Sequence, residues 1–168
     1  MCIETIKKVL VPVWYKESMI GLSIGKSGSN FAESEKKEFK KKLFEAIERL
    51  RRRVDEENLS NANIRKEIKK LSTETDASIG QAQKVINVYL KYYCILYSKP
   101  LEELDCPLDK SIMGKYKDEN HRPVLLKDLM DFGEYERWQE LLREKGHGVR
   151  LKPDIECYDQ NRIREFLE

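Results

Sequence analysis

The chain has 168 residues, 40% of them hydrophobic and 37% charged, and its 32 basic and 30 acidic side chains leave a formal charge of +2. That length supports one domain with a real core, and that apolar fraction excludes a disordered chain. No apolar run approaches the roughly 20 residues that cross a bilayer, no export-type leader is apparent, and the four scattered cysteines lack zinc-site spacing. The expectation is a protein of a reducing cytoplasm with no metal, cofactor or membrane partner.

Residues 1–30 are the least regular part. Val9 to Tyr15 is strand-like, and Gly21 to Ser29 is a glycine- and serine-rich loop. Gly25-Lys26-Ser27 within it does not complete a phosphate loop, because Ile20 stands where that motif needs its first glycine. From Asn30 to about Glu57, Phe39, Leu43, Ile47, Leu50 and Val54 recur at steps of three and four, which predicts a long amphipathic helix capped by Asn30.

Ser60 caps a second helix with Ile64, Ile68 and Leu71 as its apolar edge, and residues 72–78 read as a polar loop. A third helix over about 80–97 is apolar around most of its circumference and is expected at the centre of the fold. Asp109 caps a helix running through Met113. Residues 123–131 and 134–144 read as two further helices. Residues 149–158 alternate weakly, as a strand does, before a short helix capped by Asp159. A mainly α fold follows, a single multi-helix domain over 1–168 with at most a small β element near its termini and with residues 149–168 packed on it as a tail.

Nine basic residues lie between Lys36 and Arg53 against three acids. Lys40, Lys41, Arg49, Arg52 and Arg53 are the candidates here for contacts to a nucleic-acid backbone. The same run also reads as a solvated face held by i, i+4 pairs with the acid first, such as Glu38–Lys42, Glu45–Arg49 and Glu48–Arg52.

The third helix opens Ser78-Ile79-Gly80-Gln81-Ala82-Gln83-Lys84, and Cys106-Pro107-Leu108-Asp109 follows 25 residues after the lysine. This resembles the signature of helix-hairpin-helix DNA glycosylases, in which a glycine turn leads into a helix bearing a lysine and an aspartate follows a connection. The resemblance covers residues 79–116. It departs from the pattern at Ala82, where a second glycine is usual, and at Ile86, where a small residue is usual.

The resemblance implies a DNA-binding protein of base-excision type, a glycosylase and lyase acting on double-stranded DNA. Lys84 would attack the sugar C1′ of a flipped nucleoside and Asp109 would assist. Gly80, Gln81 and Gln83 would lie in a phosphate-binding turn. Stacking groups for the flipped base would come from Tyr89, Tyr92, Tyr93, Tyr135 and Trp138. Attack needs the neutral amine, so the site must take the proton from Lys84. The other reading is a non-catalytic helical interaction module in which Lys84 and Asp109 are structural. Separation of Lys84 and Asp109 by more than about 10 Å would exclude the enzyme.

Overall fold

The computed structural model describes residues 33–155, which hold five α-helices, one 3₁₀ turn and a stretch of helical backbone at 152–155, with no strand among them. The helices are α1 (Glu33–Asp55), α2 (Asn61–Glu74), α3 (Ile79–Leu96), α4 (Lys110–Tyr116) and α5 (Phe132–Lys145), with the 3₁₀ turn at Leu126–Asp128 between the last two. The expected N-terminal strand, the glycine-rich loop, the Asn30 cap and the Asp159-capped helix lie outside the described residues.

The stripe of α1 forms for the reason its spacing predicts. Phe39, Leu43, Ile47, Leu50 and Val54 are all buried, and burying each such side chain is worth roughly 1.5–3 kcal/mol. Helix α2 presents Ile64, Ile68 and Leu71 to the same core. Its start is fixed by a capping box, with Ser60 Oγ accepting from Asn63 N and the Asn63 side chain accepting from Ser60 N.

Helices α1 and α2 are bound to each other by charge. The Arg49 guanidinium donates through Nε and Nη2 to the two carboxylate oxygens of Glu67 at 3.0 and 2.8 Å, and Lys42 Nζ lies 3.5 Å from Glu74. The pairing order, Lys42 with Glu74 and Arg49 with Glu67, is that of antiparallel helices. These pairs also replace the expected intrahelical partners of Lys42 and Arg49, and Arg51 pairs with Glu48 one turn back.

Helix α3 is the central element, packed against α1, α2, α5 and the 3₁₀ turn. Ser78 caps it with a second capping box, accepting from Gln81 N while the Gln81 side chain accepts from Ser78 N. Three stretches differ from expectation. Helix α2 continues to Glu74 through part of the expected loop, with the Thr75 hydroxyl folded back onto Leu71 O.

Residues 123–131 hold only the short 3₁₀ turn, because this segment lies across the start of α3. Ser78 Oγ donates to Leu126 O at 2.5 Å, and Gly80 N donates to Leu129 O at 2.9 Å. Asp131 then caps α5 by accepting from Gly133 N and Glu134 N. Residues 149–155 form a turn leading into helical backbone instead of a strand, and Leu151, Pro153 and Asp154 are buried there.

Candidate functional site

Lys84 and Asp109 meet. Helix α3 carries the lysine at its second turn, and Asp109 is the N-cap of α4. One carboxylate oxygen, Oδ1, accepts from Ile112 N at 2.9 Å, and the other, Oδ2, accepts from Lys84 Nζ at 2.7 Å. The two side chains are 19% and 18% exposed, so the pair is mostly covered but still reached by solvent.

The approach of 106–109 to α3 is fixed by two glutamines. Gln83 Nε2 donates to Leu108 O at 2.9 Å and its Oε1 accepts from Leu108 N at 3.0 Å. Gln139 of α5 does the same for Cys106, accepting from its N–H and donating to its carbonyl, both at 2.8 Å.

Beneath the pair lies a second one. Lys91 sits two turns beyond Lys84 on the same face of α3, and its Nζ donates to Asp154 Oδ2 at 2.6 Å with both side chains only 4% exposed. Burial raises the pKa of the Asp154 carboxyl above the usual aspartate value, and the Lys91 ammonium pulls it partly back. Cys106 is buried beside both pairs. Burial holds its thiol well above the ordinary cysteine range, so it is a packed neutral group and not a nucleophile.

A third polar cluster centres on Asp105, which is fully buried. Its carboxylate accepts from Asn61 Nδ2 at 2.6 Å, Arg65 Nε at 3.1 Å and Tyr135 Oη at 2.8 Å, and Arg150 Nε stands 3.5 Å away. Asn87 Nδ2 donates to Tyr135 Oη and to Gln83 Oε1, which joins this cluster to the Gln83 clamp. Asp105, Lys91 and Asp154 were not singled out from the sequence. The one available signal for Asp105 is a lone acid inside the apolar run 104–108.

The structure treats the other expected site residues differently. In the proposed phosphate turn, Gly80 N–H is taken by Leu129 O, Gln81 N–H by Ser78 Oγ, and Gln83 is buried. A Cβ at Gly80 would fall 2.2 Å from Leu126 O. Gly80 is therefore a close-packing glycine beneath the 125–129 segment, and this helix start is covered.

Tyr89, Tyr93, Tyr135 and Trp138 are core residues and cannot stack on a base. Tyr93 Oη donates to Asp55 Oδ1 of α1 at 2.7 Å, and burial pushes the Tyr89 hydroxyl up to about 12. Because Tyr93 and Lys84 are nine residues apart, they point to opposite sides of α3. Helix α1 therefore lies on the side away from Lys84, and its basic face does not border the Lys84–Asp109 pair.

On α1, Lys40, Lys41, Arg52 and Arg53 are exposed, while Arg49 is held by Glu67. His121 Nδ1 lies 2.7 Å from Asp118 Oδ1, and its ring packs edge-on against Trp138. No described helix is long and apolar enough to cross a membrane. Among the described residues, no group of three or more His, Cys, Asp or Glu is placed to hold a metal ion. No protein-family model, curated protein or solved structure matches the chain.

Proposed function

We propose that this protein is a helical DNA-binding module that contacts the phosphate backbone through the exposed face of α1. The observation that carries the reading is the state of its cations. Lys37, Lys40, Lys41, Arg52 and Arg53 are exposed, and none of them makes an ion pair among the described residues, whereas Lys42, Arg49 and Arg51 are paired. A solvated face held by internal pairs would have consumed them. Lys41 and Arg52 lie on one stripe, about 16 Å apart along the axis at 1.5 Å per residue. Phe44, 57% exposed, stands one turn beyond Lys40 and Lys41 and adds a ring to the cationic surface.

Each phosphate contact contributes about −0.9 to the slope of log affinity against log salt. Titration of a short duplex across a salt series is expected to show a slope near −4. The variant with Lys40, Lys41, Arg52 and Arg53 all changed to Gln is expected to flatten that slope by about 3–4. A salt-independent wild type, or a variant with the parental slope, would sink the reading.

A second reading rests on a different observation, the 2.7 Å contact of Lys84 with Asp109. It is the lysine–aspartate pair that the glycosylase resemblance requires: Lys84 Nζ would give up a proton to Asp109 Oδ2 and bond to the sugar C1′ as the C1′–base bond breaks and the base leaves. Borohydride reduction in the presence of duplexes with damaged bases is expected to trap wild type, but not Lys84→Ala, as a covalent adduct. No adduct on any lesion would leave the pair as a strut between α3 and α4. The two readings use opposite sides of α3, so each stands or falls alone.

A further inference from the structure

Between α2 and α5 lies an open groove of about 400 Å³, walled by Asn61, Arg65, Lys66, Lys69, Phe132 and Glu136. That volume is in the range of small-ligand sites. Its floor is preformed, since Arg65 is tied to Asp105 and Glu136, and Asn61 is tied to Asp105. Phe132 is the first residue of α5 after its Asp131 cap and is propped against the fully buried Tyr135, with ring centroids 5.4 Å apart.

Lys69 Nζ rests 3.9 Å from the centroid of the Phe132 ring. The exposed Lys66 stands beside it on α2. With Arg65 and Glu136 paired to each other, the two lysines dominate the charge of the groove. A held aromatic ring next to two cations on flexible stems is the minimal equipment for one unstacked nucleotide, with the ring for the base and the ammonium groups for its phosphate.

We infer that the α2–α5 groove takes an unpaired nucleotide of the bound DNA, stacked on Phe132 with its phosphate between Lys66 and Lys69. This deepens the DNA-binding reading and rests on it. Helix α2 runs antiparallel to α1 and is joined to it by the Arg49–Glu67 and Lys42–Glu74 pairs, so the groove and the exposed cations of α1 belong to neighbouring helices. The Lys69 ammonium occupies the ring face in the free protein and gives way to the base on binding.

The test compares a blunt duplex with the same duplex carrying a short single-stranded extension, by fluorescence anisotropy at fixed salt. Wild type is expected to bind the extended duplex at least about fivefold more tightly. Phe132→Leu, which keeps an apolar group at the helix start, and the double variant Lys66→Gln/Lys69→Gln are each expected to lose that preference and retain blunt-duplex affinity, with unchanged far-ultraviolet dichroism. Equal affinity of wild type for both DNAs overturns the groove and leaves α1 standing. Binding only of the extended DNA, dependent on Phe132, overturns the α1 reading and keeps the groove. No binding of either overturns both.

Discussion

Replacing Asp105 with Ala is expected to cost about 3–5 kcal/mol of folding stability, the range for removing one partner of a buried charge cluster. The carboxylate is fully buried and serves Asn61, Arg65 and Tyr135 at once, with Arg150 close by. Its loss would leave two guanidinium groups, 20% and 17% exposed, facing each other without the charge between them, and a buried phenol without its acceptor. Asp105→Asn keeps the shape and one acceptor oxygen, and so is expected to fall between wild type and Ala. Urea unfolding with unchanged m-values would measure the effect. A loss under about 1 kcal/mol for the Ala variant would mean that the cluster does not organise the fold.

Lys91→Met is expected to have an effect of similar size at neutral pH, about 3–5 kcal/mol, because it strands the Asp154 carboxylate in the interior. Its pH dependence distinguishes this cause from loss of packing. Burial already sets the Asp154 pKa above that of the unfolded chain, and removing the Lys91 ammonium raises it further. A carboxyl whose folded pKa is raised binds its proton more tightly in the native state. Its stabilising contribution is full below the unfolded value near 3.9 and is lost as pH rises through the folded value. The deficit of Lys91→Met relative to wild type should therefore shrink as pH is lowered from 7 toward 4. The double variant Lys91→Met/Asp154→Leu is expected to recover much of the loss at pH 7 and to lose the pH dependence. A deficit that stayed flat with pH would show that stranded charge is not its cause.

The helices were legible where one residue pattern decides one element. The Phe39-to-Val54 stripe, the Ser60 cap and the Asp109 cap each depend on neighbours within a turn or two, and each forms as its spacing predicts. Residues 123–131 were not legible, because their carbonyls are claimed by Ser78 and Gly80, more than forty positions earlier. Charge pairing on α1 failed in the same way. The i, i+4 spacing is present, but Arg49 bonds to Glu67 because the fold brings α2 within reach.

The site divides along the same line. Spacing and residue type suggested that Lys84 and Asp109 belong together, and they are in contact. The resemblance put Gly80 in a phosphate-binding turn, whereas the glycine is required by the lack of room under Leu126. Lys91 and Asp154 are 63 residues apart, and nothing local marks either as the partner of a buried ion. A buried polar group is defined by what covers it, and the cover is tertiary.

The clamp by Gln83 has a mechanical meaning. A carboxamide offers one donor and one acceptor in a plane, as a peptide group does, so Gln83 meets Leu108 as a neighbouring strand would and lets an all-helical core hold an extended segment without a sheet. Because Gln83 precedes Lys84 and Leu108 precedes Asp109, this bond works as a register lock. A slip of the connector by one residue would carry Asp109 off Lys84 and break the paired bonds at Leu108 in the same motion, so the alignment of the two charges is indexed by an uncharged side chain next door.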